Sequence, residues 1–197
     1  MVKPEFITVV SGLPRSGTSL MMQMLHAGGL PTLSDGLRTA DANNPRGYFE
    51  FDPVKRLRSD NGWLPQARGH AVKIIHLLLR ELRLDGSLQY RIVFMQRPMA
   101  EVLASQRAML LRDGKASADA AVLKQAFEKQ LEQIDTWLAE QAHVVVMQVP
   151  YHQIMREPLA TAVAVNTFLG LTLDTAAMVR AVDPALHRQR GPATGAL

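Results

Sequence analysis

Residues 6–29 read FITVVSGLPRSGTSLMMQMLHAGG. The stretch opens on a short, largely β-branched run, Ile7-Thr8-Val9-Val10, which suits a buried strand. A polar turn follows, Ser11-Gly12-Leu13-Pro14-Arg15-Ser16-Gly17, and then an apolar helical run over 20–25. Strand, glycine-bracketed turn and helix form the layout of a phosphate-binding loop, in which backbone N–H groups and a helix N-terminus face an anion. Gly12 and Gly17 have the spacing of the two glycines in G-x-x-x-x-G-K-[ST], and Thr18-Ser19 stands where that motif has its lysine and hydroxyl residue. The lysine is absent, and Arg15 supplies a cation from inside the loop instead.

In nucleoside triphosphate enzymes that lysine reaches the β- and γ-phosphates. A loop that keeps N–H groups, two hydroxyls and one guanidinium suits a single phosphate or sulfate-like group. Pro14-Arg15-Ser16-Gly17-Thr18-Ser19 resembles the 5′-phosphosulfate loop of sulfotransferases that use 3′-phosphoadenosine 5′-phosphosulfate (PAPS). It is most similar to the PRSGTT form of tyrosylprotein sulfotransferases and related bacterial enzymes. The resemblance implies that Pro14, Arg15, Ser16, Gly17, Thr18 and Ser19 bind PAPS and its product PAP. It also makes Arg15 the cation on the leaving phosphate.

The rest of the chain alternates apolar runs with helical patterns. Strands are expected over 71–75, 91–96 and 144–147, each a buried run. Helices are expected over 53–60, opened by Asp52-Pro53, and over 98–112, stopped by Asp113-Gly114. Further helices are expected over 117–141, 156–169 with Gly170 as C-cap, and 174–182. Residues 31–47 read as a long polar loop, of the length that carries function. Continuous apolar strands between helices mark a mainly parallel sheet covered on both faces, an α/β fold of three layers. Residues 1–197 show no repeat and no linker, so one domain is expected, with 187–197 a mobile tail. Ligand should sit at the C-terminal ends of the strands.

Composition narrows the function classes. The chain has 197 residues, is 47% hydrophobic and carries a net charge of +4. Its sequence pI is near 9.7 and its mean hydropathy near zero. This favours an anionic ligand but is too diffuse for a nucleic-acid partner. There is no cysteine, hence no disulfide, zinc thiolate or thiol nucleophile. No apolar run approaches the ~18 residues that span a bilayer. Residues 1–5 lead straight into the first strand without a signal-peptide pattern. A cytoplasmic protein without membrane association is expected.

A second anion motif follows the 91–96 strand. Arg97 stands at the strand end and Ser105 eight residues on, about two helical turns up. This is similar to the 3′-phosphate motif of sulfotransferases, and the resemblance implies that Arg97 and Ser105 hold the ribose 3′-phosphate. Further along, Val149-Pro150-Tyr151, Glu157-Pro158 and Phe168-Leu169-Gly170 resemble the family's Tyr-Glu-x-Leu, x-Pro and Phe-Leu-Gly sequence, which implies an adenine contact for Tyr151. His187-Arg188-Gln189-Arg190-Gly191 is similar to the basic segment that closes over the 3′-phosphate, which makes Arg190 a cofactor candidate.

Sulfuryl transfer needs an acceptor hydroxyl or amine in line, a base, and cations on the leaving group. Three residues are candidate bases. His76 ends Lys73-Ile74-Ile75-His76, one residue longer than the family's Lys-Thr-His strand end, an offset that reverses its face in an extended strand. Asp35 lies beside Gly36, where the tyrosylprotein-type glutamate falls, and Arg38 matches that segment's arginine. Glu50 is a further acid in the long loop. The resemblance therefore implies a PAPS-dependent sulfotransferase acting on a small-molecule or peptide acceptor, without a metal. The rival readings are a small-molecule or nucleoside kinase and a non-catalytic nucleotide-binding module.

Overall fold

The computed structural model describes residues 4–41, 44, 46–116 and 119–186. Four strands, β1 (Phe6–Gly12), β2 (Ala71–Lys73), β3 (Gln89–Gln96) and β4 (Val144–Pro150), form a sheet in the order β2-β1-β3-β4. Every pairing is parallel. Among the described residues, six helices connect and cover them: α1 (Thr18–Ala27), α2 (Met99–Arg112), α3 (Ala120–Ala139), α4 (Tyr151–Arg156), α5 (Pro158–Leu169) and α6 (Thr175–Arg180).

Side chains alternate along a strand, so a sheet buried on both sides needs apolar residues at every position. The strands β1 and β3 meet that condition in their middles, over Val9-Val10 and Ile92-Val93-Phe94-Met95. Ile7, Val9, Ile92 and Phe94 face one side, against Ile134 and Leu138 of α3 and Leu57, Leu64 and Leu79 of the connecting segments. Val10, Val93 and Met95 face the other, against Met21, Met22, Met24 and Leu25 of α1, Val165 and Leu169 of α5, and Met178 of α6. The three layers expected from the sequence are present.

Four elements differ from the sequence reading. The 53–60 helix is a 3-10 turn, Asp52–Arg56. The expected 71–75 strand pairs only over Ala71–Lys73, and a 3-10 turn, His76–Glu81, follows. The 156–169 helix is two helices, broken at Glu157 (φ −135°, ψ 62°), because the residue before a proline is driven out of the α region. The expected third buried strand, β4, is an edge strand, and Val145 is 56% exposed. Its sequence, VVVMQVP, is as apolar as that of a central strand.

Parallel pairing brings the strand ends together. Gly12 lies opposite Met95, and Gln96 opposite Pro150. The turn after β1, the start of α2 and the start of α4 therefore meet at one edge of the sheet.

Candidate active site

The turn after β1 is shaped by close approach. Gly12 has φ 141°, and a Cβ there would come within 2.6 Å of both the Met95 carbonyl and Ser16 Oγ. Gly17 has φ 106°, and its Cβ would come within 2.6 Å of the Tyr151 ring. Arg15 takes a left-handed backbone, φ 70°, at a cost of about 1–2 kcal/mol for a residue with a Cβ. Thr18 then starts α1, with Gly17 as its N-cap, so no side chain occupies the first N–H groups of the helix. Those groups, with the helix dipole, face the cavity that the turn encloses.

That cavity has a volume of about 360 Å³. The loop contributes Pro14, Arg15, Gly17, Thr18 and Ser19 to its lining, and α2 contributes Ser105, Met109 and Arg112. Arg97, Tyr151, Lys73, Arg38, Tyr48 and Glu50 add to the polar wall, with Asp183 a second acid on it. Cations outnumber acids along it.

The two anion motifs, 90 residues apart in sequence, touch. Arg15 Nε donates to Ser105 Oγ at 3.0 Å. Arg97 Nη1 donates to the Arg15 carbonyl at 3.1 Å, and its Nε donates to Glu101 Oε2 at 2.9 Å. The Arg97 guanidinium lies over the Tyr151 ring, 4.5 Å from its centroid. Burial lowers the pKa of Arg15, with a smaller contribution from neighbouring arginines. An anion in the cavity relieves both effects, because it supplies the opposite charge that burial withholds.

Tyr151 begins α4, where the sequence reading had only a strand end. Its ring is buried beneath Gly17 and Arg97. Ser16 departs further from expectation. Its side chain is buried and lines a second cavity, on the side of α3 Leu131 and Asp135, and its Oγ has no hydrogen-bond partner. Ser16 N donates within the turn, to the Leu13 carbonyl at 3.2 Å. Arg190 lies outside the described residues.

Of the three candidate bases, Glu50 lines the cavity and the other two do not. Asp35 is exposed. Its carboxylate accepts from Leu37 N at 3.0 Å and from Asp52 N, and these backbone bonds lower its pKa. Each of its oxygens accepts one backbone bond of the loop, and the residue is not part of the cavity lining. His76 is buried under α3, its Nε2 2.9 Å from Gln130 Oε1, and burial lowers its pKa. The extra residue in Lys73-Ile74-Ile75-His76 leaves Ile75 lining the cavity and turns the imidazole away from it.

Glu50 accepts from Arg38 Nη1 at 2.8 Å and lies 3.7 Å from Lys73 Nζ. Lys73 also donates to the Tyr48 carbonyl, which Ser19 Oγ approaches at 3.4 Å. The Tyr48 hydroxyl donates to Asp41, and the Arg38 guanidinium stacks 3.4 Å from the Tyr48 ring centroid. Burial holds the Lys73 pKa down at about 8, against the opposing pull of Glu50. Lys73, Tyr48 and Arg112 carried no role in the sequence reading. A lysine inside an otherwise apolar strand run, Ala71-Val72-Lys73-Ile74-Ile75, is the signal that could have found the first of them.

No protein-family model and no curated protein sequence matches the chain. Solved structures do. The sulfotransferase STF1 from Mycobacterium tuberculosis H37Rv aligns with TM-score 0.59 at 18% identity, covering 90% of this chain and 71% of that one. The sulfotransferase domain of the Synechococcus PCC 7002 olefin synthase aligns with TM-score 0.57 at 17% identity, covering 99% and 91%. The sulfotransferase domain from the curacin biosynthetic pathway gives TM-score 0.51 at 14% identity, covering 100% and 82%. The chain shares its fold with these sulfotransferase domains.

Proposed function

We propose that the chain is a sulfotransferase that moves a sulfuryl group from PAPS to a hydroxyl or amine of a small-molecule or peptide acceptor. The observation that carries this reading is the contact between Arg15 of the lysine-free phosphate loop and Ser105 of the second anion motif. Loop, Arg97 and Ser105 form one continuous cationic wall, which suits a ligand with two anionic groups rather than one. The donor set fits PAPS. Thr18, Ser19 and the first N–H groups of α1 would hold the 5′-phosphosulfate, and Arg97 with Ser105 the 3′-phosphate. Bound there, PAPS supplies the sulfuryl group.

The chain's own residues do the rest. Arg15 presents a guanidinium where leaving-group charge grows, and it acts more strongly on the transition state than on the ground state. Lys73 is a second cation on the same wall. Glu50 is the base: its carboxylate lines the cavity, oriented by Arg38 and Lys73, and takes the proton of the acceptor. The Pro14–Ser19 loop sequence supports a kinship with tyrosylprotein-type and bacterial enzymes, and the cysteine-free composition accords with a cytoplasmic setting.

The test is thermal stabilisation by PAP, AMP and Mg-ATP, since a ligand that binds only the native state raises its stability with concentration. PAP is expected to give the largest shift. A larger shift with Mg-ATP favours the kinase, and equal shifts with PAP and AMP remove the 3′-phosphate site. Transfer of sulfur label from PAPS in a screen of acceptors then separates an enzyme from a binding module.

A further inference from the structure

Arg15 holds a backbone conformation that residues with a Cβ rarely adopt, φ 70°. Such a conformation persists only where its surroundings over-determine it. Two contacts do so here, and both trace to one face of α2. Ser105 accepts from the Arg15 side chain at 3.0 Å. Arg97 donates to the Arg15 carbonyl at 3.1 Å, and Arg97 is itself held by Glu101 at 2.9 Å. Glu101 precedes Ser105 by four residues, so the two are neighbours on the helix surface. One helix face thus holds both ends of Arg15.

Glu101 is 3% exposed. A carboxylate buried to that degree requires partners. It has Arg97 on one oxygen and His152 Nε2, at 2.9 Å, on the other. Neither its position nor its partners point it into the cavity, whose lining includes Arg97 but not Glu101.

We propose that Glu101 is a positioning residue of the phosphate loop: through Arg97 it fixes the Arg15 carbonyl, and with it the left-handed turn that presents the loop to an anion. The proposal rests on the loop being an anion site, and on the PAPS reading only for the identity of that anion. It separates two roles for the ion pair. If Glu101 served only to aim Arg97 at a 3′-phosphate, its loss would weaken PAP and spare AMP. Because Arg97 reaches the loop backbone, its loss weakens every anion that the loop holds.

The experiment is calorimetric titration of the full chain with PAP, AMP and inorganic pyrophosphate. Parent, Glu101→Gln and Arg97→Lys are compared. In Glu101→Gln all three affinities are expected to fall together by about tenfold or more, the worth of a charge-assisted hydrogen bond, with the PAP-to-AMP ratio preserved. Arg97→Lys keeps the charge, but a single ammonium cannot serve Glu101 and the Arg15 carbonyl as a rigid fork does. It is expected to lower AMP and pyrophosphate affinity as Glu101→Gln does, with PAP falling further because Arg97 also meets the 3′-phosphate, and the AMP and pyrophosphate arms decide the matter if Glu101→Gln does not fold. A merely structural Glu101 would lower the thermal midpoint and leave the anion affinities of the folded protein unchanged. Unchanged pyrophosphate and AMP affinity in a folded variant overturns the proposal. A parent that binds PAP no more tightly than AMP overturns the PAPS reading instead, and the pyrophosphate arm still decides the role of Glu101. A parent that holds none of the three overturns both.

Discussion

Arg15 Nε donates a hydrogen bond of 3.0 Å to Ser105 Oγ, which ties the phosphate loop to the second turn of α2. The bond holds the loop cation in place before any anion arrives, so little reorganisation is left for the moment of reaction. Arg15→Ala is expected to lower kcat by ~10²–10³, the scale of losing one preorganised donor, with a smaller loss of PAP affinity. Ser105→Ala leaves the guanidinium in place but unanchored, and about fivefold is expected, the worth of a ~1 kcal/mol hydrogen bond. Both variants are assayed at saturating PAPS with an acceptor drawn from the label-transfer screen. Parent-like turnover in Arg15→Ala would make the loop a cradle only.

Gly17 and Tyr151 are in contact through the space where a Cβ would be. Gly17→Ala combines a backbone at φ 106° with a 2.6 Å approach to the buried ring. A loss of roughly 1–3 kcal/mol is expected from a strained backbone position of this kind, read from the midpoint of urea unfolding. Tyr151→Ala in the same chain removes the clash but not the strain, so the double variant should cost less than the sum of the two singles. Strict additivity would show that ring and loop are not coupled.

Lys73 gives the site a pH dependence. Its pKa of about 8 lies below the ordinary lysine value because burial disfavours the ammonium. Below pH 8 it is charged in both the folded and unfolded chain, and the fold bears the full burial cost. As pH rises through 8 the folded chain loses the proton first, and that cost is relieved. Anion binding runs the other way, since a phosphate favours the ammonium. PAP affinity is therefore expected to weaken as pH rises from 7 through 8 and beyond, a range in which the ligand's own phosphates, with a second ionisation near about 6, no longer titrate. Titrations across pH 7–9.5 check this. Lys73→Met should bind more weakly and without the slope, whereas a slope that survives in Lys73→Met belongs to another group.

The anion motifs were legible in the sequence because each is local: a strand end, a turn and a helix start within about ten residues. Pairing of β1 with β3 brings the two together, and both runs are plainly strands. What escaped reading depends on position in the sheet or on the 31–65 segment. The VVVMQVP run of β4 gives no sign that the strand has a neighbour on one side only. Tyr48 and Glu50 sit in a loop without periodicity, fixed by Lys73, Ser19 and Arg38 from three separate elements. Ser16 reads as a phosphate ligand by motif, yet its hydroxyl turns to the opposite side of the turn, over Gly12. Glu101 was invisible as a site residue because an acid in the first turn of a helix is also the ordinary response to the helix dipole.

Glu50, Asp35 and His76 divide along lines that one assay can read. Glu50 faces the cavity between two cations, Arg38 at 2.8 Å and Lys73 at 3.7 Å, which hold its carboxylate in place on the cavity wall. Asp35 spends its oxygens on Leu37 N and Asp52 N, and His76 spends Nε2 on Gln130 beneath α3. Loss of a positioned general base costs typically ~10²–10⁴ in rate, so Glu50→Gln is expected to lower kcat on that scale while PAP binding changes little. Asp35→Asn should leave kcat near the parent value and loosen the loop, seen as faster proteolysis there. His76→Gln should leave kcat near the parent value too. It should also remove an acid sensitivity: with its folded pKa lowered by burial, His76 contributes stability above its unfolded pKa near about 6.5, which is lost as pH falls below that value because the unfolded chain takes up the proton first. Thermal midpoints of parent and His76→Gln from pH 7.5 to 5 read that difference directly. A kcat that collapses in His76→Gln but survives in Glu50→Gln would move the base to the other side of the loop and sink the role given to Glu50.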